Sequence, residues 1–266
     1  AGRSQTFHSK RNWRPLVDYL DALSMHACRL WEGLLITLQL TLISGILAFI
    51  VAVILGLMAG STRKLVRFPA RIIIEFFRGT SLLVQLMWLF YVLPLFGPSL
   101  DAMLVGIFAL TLNYGAYGAE AVRASMTSVP QSQWEATIAL SMSWQHKIRR
   151  VIFPQAWALM LPSLTNLWVH LLKGSSIVYI IGMSEFTFEL LQLRRTTDWF
   201  FALAMVGLIV YFLIALALTQ LMRLLEVRAK HRLGRGPSLK EILSPMPPKT
   251  PAADNASDTH VTGGAR

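Results

Sequence analysis

Residues 131–181 read QSQWEATIALSMSWQHKIRRVIFPQAWALMLPSLTNLWVHLLKGSSIVYII. A polar segment with helical patterning, residues 132–146, runs through a basic patch (Lys147, Arg149, Arg150) into a long apolar stretch. Pro130 suits the first turn of a helix, where its missing N–H is not needed. Trp134, Ala136, Ala139, Leu140 and Ser143 recur at spacings expected to put them on or near one side. The alanines leave a face that another protein can approach closely. Glu135, near the helix start, is favoured by the helix dipole and can pair with a partner's arginine. On pattern alone, a solvated loop helix with no partner explains the segment equally well.

The flanks decide what surrounds that segment. Hydrophobic residues make up 54% of the chain and charged residues only 15%, against about 25% charged in soluble domains. The deficit is concentrated in uncharged runs at residues 33–62, 79–100, 102–119, 151–172 and 199–222. A run of about 18 or more apolar residues argues for a membrane-spanning helix, because about 20 residues cross the hydrocarbon core. The expectation is an all-α polytopic membrane protein with five spans at about 30–60, 72–95, 101–122, 155–182 and 199–225. Residues 1–29 form an N-terminal arm, with 13–28 read as an interfacial amphipathic helix at best. Residues 30–225 are the membrane domain, 123–154 its main loop, and 226–266 a basic and then disordered tail.

Net charge is +11, but most Lys and Arg flank the apolar runs, where they meet lipid head groups and fix topology. No basic stripe interleaved with aromatics points to nucleic acid. Arg63, Lys64, Arg67 and Arg71 place the first loop inside. The next loop, residues 94–99, has no Lys or Arg and belongs outside. Arg123, Lys147, Arg149 and Arg150 place the loop holding residues 131–146 inside, and Arg223, Arg228, Lys230, Arg232 and Arg235 do the same for the tail. The N-terminus is then outside, although Arg3, Lys10, Arg11 and Arg14 lie in it, as do Arg194 and Arg195 in the last outer loop. Cys28 is the one cysteine, so no internal disulfide forms. The start of the chain does not read as a cleavable signal peptide.

The opening segment resembles the EAA loop of ATP-binding-cassette importer permeases, whose pattern is E-A-A, a glycine four residues after the last alanine, then I-x-L-P. The chain has Glu135-Ala136-Thr137, Ser141 at the glycine position, and Val151-Ile152-Phe153-Pro154. Its surroundings are similar to the polar-amino-acid branch, which includes the histidine, glutamine and arginine permeases. The residues that carry this are Gly33-Leu34-Leu35-Ile36-Thr37-Leu38-Gln39-Leu40-Thr41, Arg78-Gly79-Thr80-Ser81-Leu82-Leu83-Val84-Gln85 and Ala119-Glu120-Ala121-Val122-Arg123. Pro154-Gln155-Ala156, Leu161-Pro162, Asn166 and Leu171-Leu172-Lys173 then follow in the family's order. The match covers about residues 30–225, and the order of the motifs makes it specific. Thr137, Ser141, Ser81 and Gly174 depart from the pattern; Gly174 stands where an acid usually follows the lysine.

The resemblance implies the type I ABC importer permease fold and an inner-membrane location. It implies that the EAA loop forms a cytoplasmic coupling helix seated in a groove of a separate ATPase subunit, with Glu135, Ala136, Ala139, Leu140 and Ser141 as coupling residues. The chain lacks G-x-x-x-x-G-K-[ST], so it has no usual phosphate-cradling loop. ATP and Mg are then expected on the partner, with no cofactor and no catalytic residue here. Further implied partners are a second permease, identical or homologous, and an external solute-binding protein landing near residues 94–100 and 185–198.

Polar groups are costly in lipid and mark pathways. Asn113, Tyr117, Glu120, Asn166 and Lys173 are the candidate substrate-pathway residues, with Tyr114 beside them. Against that, Glu120 is better read as the partner of Arg123, Glu75 as the partner of Arg78, and Lys173 as snorkelling to the interface equally well. His170 lacks a second metal ligand at i+4, and Trp88, Trp168 and Trp199 read as interface belt. The functional expectation is an importer permease for a polar amino acid or a similar zwitterion. A compatible solute or opine is the alternative within that class; a stand-alone transporter or channel, or a membrane enzyme, lies outside it. No catalytic cluster or inverted repeat supports the latter.

Overall fold

The computed structural model describes residues 14–196 and 200–232, with side chains for 27–194 and 203–228. Nine α-helices lie among them: α1 (Arg14–Ala59), α2 (Lys64–Gly79), α3 (Leu82–Met87), α4 (Ala102–Thr127), α5 (Gln131–Ala139), α6 (Trp144–Lys147), α7 (Phe153–Ser175), α8 (Phe186–Thr196) and α9 (Phe200–Arg232). No strand occurs among the described residues. Four stretches are long and apolar enough to cross a membrane: Ala27–Ala59, Ala102–Thr127, Trp144–Ile181 and Leu203–Arg228. A bent pair, Lys64–Gly79 with Leu82–Phe96, makes a fifth.

Helix α4 is the centre of the bundle. Leu40 of α1, Leu86 of α3, Val105 and Leu110 of α4, and Val178 share one buried cluster. Ala52, Val122, Val129, Ile152 and Met160 form another toward the α5 end. Small residues let α1 and α4 approach closely, as close backbone packing in lipid requires. A Cβ on Gly118 would stand 2.7 Å from the Cβ of Ala52, closer than two carbons can sit.

Two boundaries differ from the sequence expectation. The first helix starts at Arg14 rather than near residue 30, continuing without a break through the second half of the expected arm. Residues 1–13, Trp199 and the tail beyond Arg232 lie outside the described residues. The fourth span starts at Trp144, ahead of Pro154. A π turn at Ile148–Ile152 joins α6 to α7, which accommodates a proline whose ring would clash with a carbonyl one turn back.

The second expected span is not one helix. Its two halves meet at 100°. Thr80 and Ser81 are extended, with ψ of 147° and 135°. Such a break survives in apolar surroundings only where its freed backbone groups find partners. The Gln85 amide donates to Phe77 O at 3.1 Å and to Thr80 Oγ1 at 2.7 Å. Asn113 of α4 donates to the same Phe77 carbonyl at 3.1 Å, and Thr80 Oγ1 donates to Phe76 O at 2.8 Å.

Candidate coupling surface and pathway residues

The turn after α4 delivers α5 to one end of the bundle. Pro130 is its N-cap. The helix is shorter than residues 132–146 suggested, because it stops at Ala139. Ser141 N–H donates to Ile138 O at 2.9 Å and Met142 N–H to Thr137 O at 3.1 Å. This pair of reversed bonds is a Schellman stop, which needs a left-handed residue just past the helix end. Ser141 is that residue, at φ 50°, the one non-glycine with positive φ among the described residues. The position is therefore a real conformational demand, which a glycine would meet freely and Ser141 meets under strain.

The expected single face of α5 divides in two. Trp134 is half-buried and packs on the cluster of Val122, Val129 and Ile152. Thr137 is buried beside it, its Oγ1 donating to Trp134 O at 2.7 Å. Ala136, Ala139 and Leu140 are exposed, as are Glu135 and Ser141. At 3.6 residues per turn Ala136 lies about 200° from Trp134, so the two cannot share the one side expected of them. The Thr137 departure consequently faces the membrane domain and leaves the outward face unchanged. Ile138, 64% exposed, and Leu140, 73% exposed, extend that face. Gln155 of α7 donates to Gln133 at 3.3 Å, tying α5 to the helix that follows it.

The pathway candidates scatter. Asn113 is buried and donates to the helix break and to Gln85 Oε1. Tyr117 is exposed; its hydroxyl donates to Arg78 O at 3.3 Å, and the Arg78 guanidinium stands 5.5 Å from its ring centre, within cation–π range. Glu120 forms a two-pronged ion pair with Arg123. Glu75 and Arg78 pair at 3.6 Å. Asn166 and Lys173 are exposed on α7, on one stripe with Ser163 and His170. Lys173 borders a groove of about 550 Å³ against α9, with Tyr211, Thr219, Gln220 and Arg223. No group of three potential metal ligands occurs among the described residues.

Glu185 begins the stretch expected to serve as an outer landing surface. It is fully buried. Its carboxylate accepts from Phe188 N–H at 2.9 Å and lies 3.2 Å from the hydroxyls of Thr37 and Tyr211, joining α1, α8 and α9. Burial pushes this carboxyl above its ordinary range, while the Phe188 N–H and Tyr211 hydroxyl pull it down. An isolated Glu beside an outer loop carries no sequence signal of burial. Residues 94–100 do display an apolar surface, with Leu95 and Phe96 both exposed.

A bundle of long apolar helices, one pair of them sharply bent, with a short exposed helix at its end defines a polytopic membrane protein. The family described as the binding-protein-dependent transport system inner membrane component matches residues 52–231, and the chain belongs to it. A probable amino-acid ABC transporter permease protein, y4tF of Sinorhizobium fredii, is 40% identical over 215 residues, covering 79% of this chain and 87% of that one. The L-cystine transport system permease protein TcyB of Bacillus subtilis is 34% identical over 197 residues, covering 74% and 84%. A crystal structure of an amino acid ABC transporter with histidines has a chain 33% identical to this one, with a TM-score of 0.72 over 77% of this chain and 96% of that one. The MetNI methionine ABC transporter, 18% identical with a TM-score of 0.63, shares the fold.

Proposed function

We propose that the chain is the membrane-spanning subunit of an ATP-driven importer that carries a polar amino acid or similar small zwitterion inward. ATP hydrolysis belongs to a separate cytoplasmic subunit. The observation that carries the reading is α5: Glu135, Ala136, Ala139, Leu140 and Ser141 point away from the bundle while Trp134 and Thr137 anchor it. An apolar face on a polar loop helix needs a partner, and an ATPase groove supplies one. On this reading α5 and the tail are cytoplasmic, and the N-terminus and residues 94–100 are outside.

The exposed stripe of Ser163, Asn166, His170 and Lys173 on a spanning helix supports a second permease across a shared, hydrated path. Asn166, Lys173 and Tyr117 are the pathway residues on this reading; Asn113 and Glu120 act behind them. A solute-binding protein delivers substrate at the outer face. Names of the relatives favour an amino acid as that substrate. Co-purification tests the docking: the ATPase subunit should bind the wild type, and Glu135→Arg should release it. ATP hydrolysis that stays coupled to transport in that variant would overturn the assignment. A thermal-shift screen of the cognate binding protein against amino acids and compatible solutes identifies the cargo.

A further inference from the structure

We propose that the first two turns of α2 bind the headgroups of anionic phospholipids. Arg63 precedes the helix, and Lys64, Arg67 and Arg71 follow at i, i+3 and i+7, which is one stripe. None of the four is within ion-pair distance of a carboxylate among the described residues; Arg71 acts on Glu120 of α4 from farther off, and Arg63, Lys64 and Arg67 have no such neighbour. Leu65, Phe68 and Ile72 repeat the same spacing one residue later, so an apolar stripe runs alongside the cationic one. Leu65 is 91% exposed and Phe68 69%. The side of α2 opposite the apolar stripe, Ala70 and Ile74, is buried against Ala59 of α1 and Ala119 of α4, and the cationic stripe lies along the border between the two.

Depth follows from the chain. The first span ends at Ala59, and α2 begins at Lys64 after a short turn, so these two turns lie at the membrane boundary. They lie at the same end as α5, since Leu57 packs on the cluster that carries Trp134. A cationic stripe beside an exposed apolar stripe at that depth has two unmet needs: anions and hydrocarbon. A phospholipid with a net negative headgroup meets both with one molecule, its phosphate on Lys64, Arg67 and Arg71 and its acyl chains on Leu65, Phe68 and Ile72. Inorganic phosphate leaves the apolar stripe uncovered. A neighbouring apolar helix leaves the cations unneutralised.

The test uses the full-length chain purified in detergent with its associated subunits. It is incubated with phosphatidylglycerol or with phosphatidylcholine, and bound lipid is counted by native mass spectrometry. The wild type should retain phosphatidylglycerol over phosphatidylcholine and lose that preference as salt is raised. Each cation near an anionic surface is worth about fivefold in affinity, so Arg67→Gln with Arg71→Gln should weaken retention roughly 25-fold. Leu65→Gln with Phe68→Gln should weaken both lipids alike. Wild-type protein that holds the two lipids equally overturns the proposal, whether or not the variants fold. Unchanged phosphatidylglycerol retention in the folded arginine variant overturns it too, as does a cross-link from position 68 to a second permease in place of lipid.

Discussion

The hydroxyl of Tyr114 occupies the space a side chain on Gly174 would need. A Cβ there would lie 2.1 Å from Tyr114 Oη and 2.9 Å from Cζ, and that hydroxyl donates to His170 O at 2.9 Å. The missing acid after Lys173 is thus matched by a phenol from α4. Overpacking a buried contact costs about 1–3 kcal/mol, so Gly174→Ala should lower the thermal midpoint in detergent. Tyr114→Phe should recover part of that loss when combined with it, because the nearest atom is gone. Equal midpoints for wild type and Gly174→Ala would contradict the contact.

Ser141 holds a left-handed conformation at the Schellman stop of α5. That geometry costs a residue with a Cβ about 1–2 kcal/mol and a glycine nothing comparable. Ser141→Gly should therefore raise stability by about 1 kcal/mol, and Ser141→Val should lower it. Chemical denaturation of the purified chain checks the order Gly, Ser, Val.

Asn113 and Gln85 serve the break between α2 and α3. Asn113→Leu leaves Phe77 O with Gln85 alone and takes from Gln85 Oε1 the donor it has in the fold, and a buried polar group without its partner costs about 1–3 kcal/mol. The expected result is lowered stability, with the KM for transport unchanged in whatever folds. A raised KM at undiminished stability would return Asn113 to the substrate path.

Glu185 binds its proton more tightly in the fold than in the unfolded chain, because burial raises its pKa. The stability it contributes is complete below the unfolded value of about 4.3 and declines as pH rises through the higher folded value. Glu185→Gln keeps the hydrogen bonding of the neutral form and cannot ionise. Its thermal midpoint should gain on the wild type as pH is raised from about 4.5 to about 8. A gap between the two that does not move with pH would show that the carboxyl titrates normally.

The sequence revealed the spans because lipid demands long uncharged runs, and that demand is local. It revealed α5 because its motif is local too. The break at Thr80–Ser81 stayed hidden: no proline marks it, and the donors that make it tolerable, Gln85 and Asn113, come from another turn and another helix. Glu185 stayed hidden for the same reason, since its partners Thr37 and Tyr211 lie at opposite ends of the chain. The opposed placing of Trp134 and Ala136 was legible in principle. The spacing from Trp134 to Ala136 already contained the phase, and small residues simply read as companions of the aromatic.

From Trp144 to Ile181 the backbone is one helical rod of 38 residues, roughly 57 Å at 1.5 Å per residue. Its foot follows the Schellman turn that ends α5 and is tied to that helix by Gln133–Gln155, and its far half carries Asn166, His170 and Lys173. Such a rod has the shape of a crank. On the proposed reading, a few degrees of tilt imposed at the foot would arrive at Lys173 as a sideways sweep of several ångströms, less whatever the π turn at Ile148–Ile152 and Pro162 inside α7 absorb.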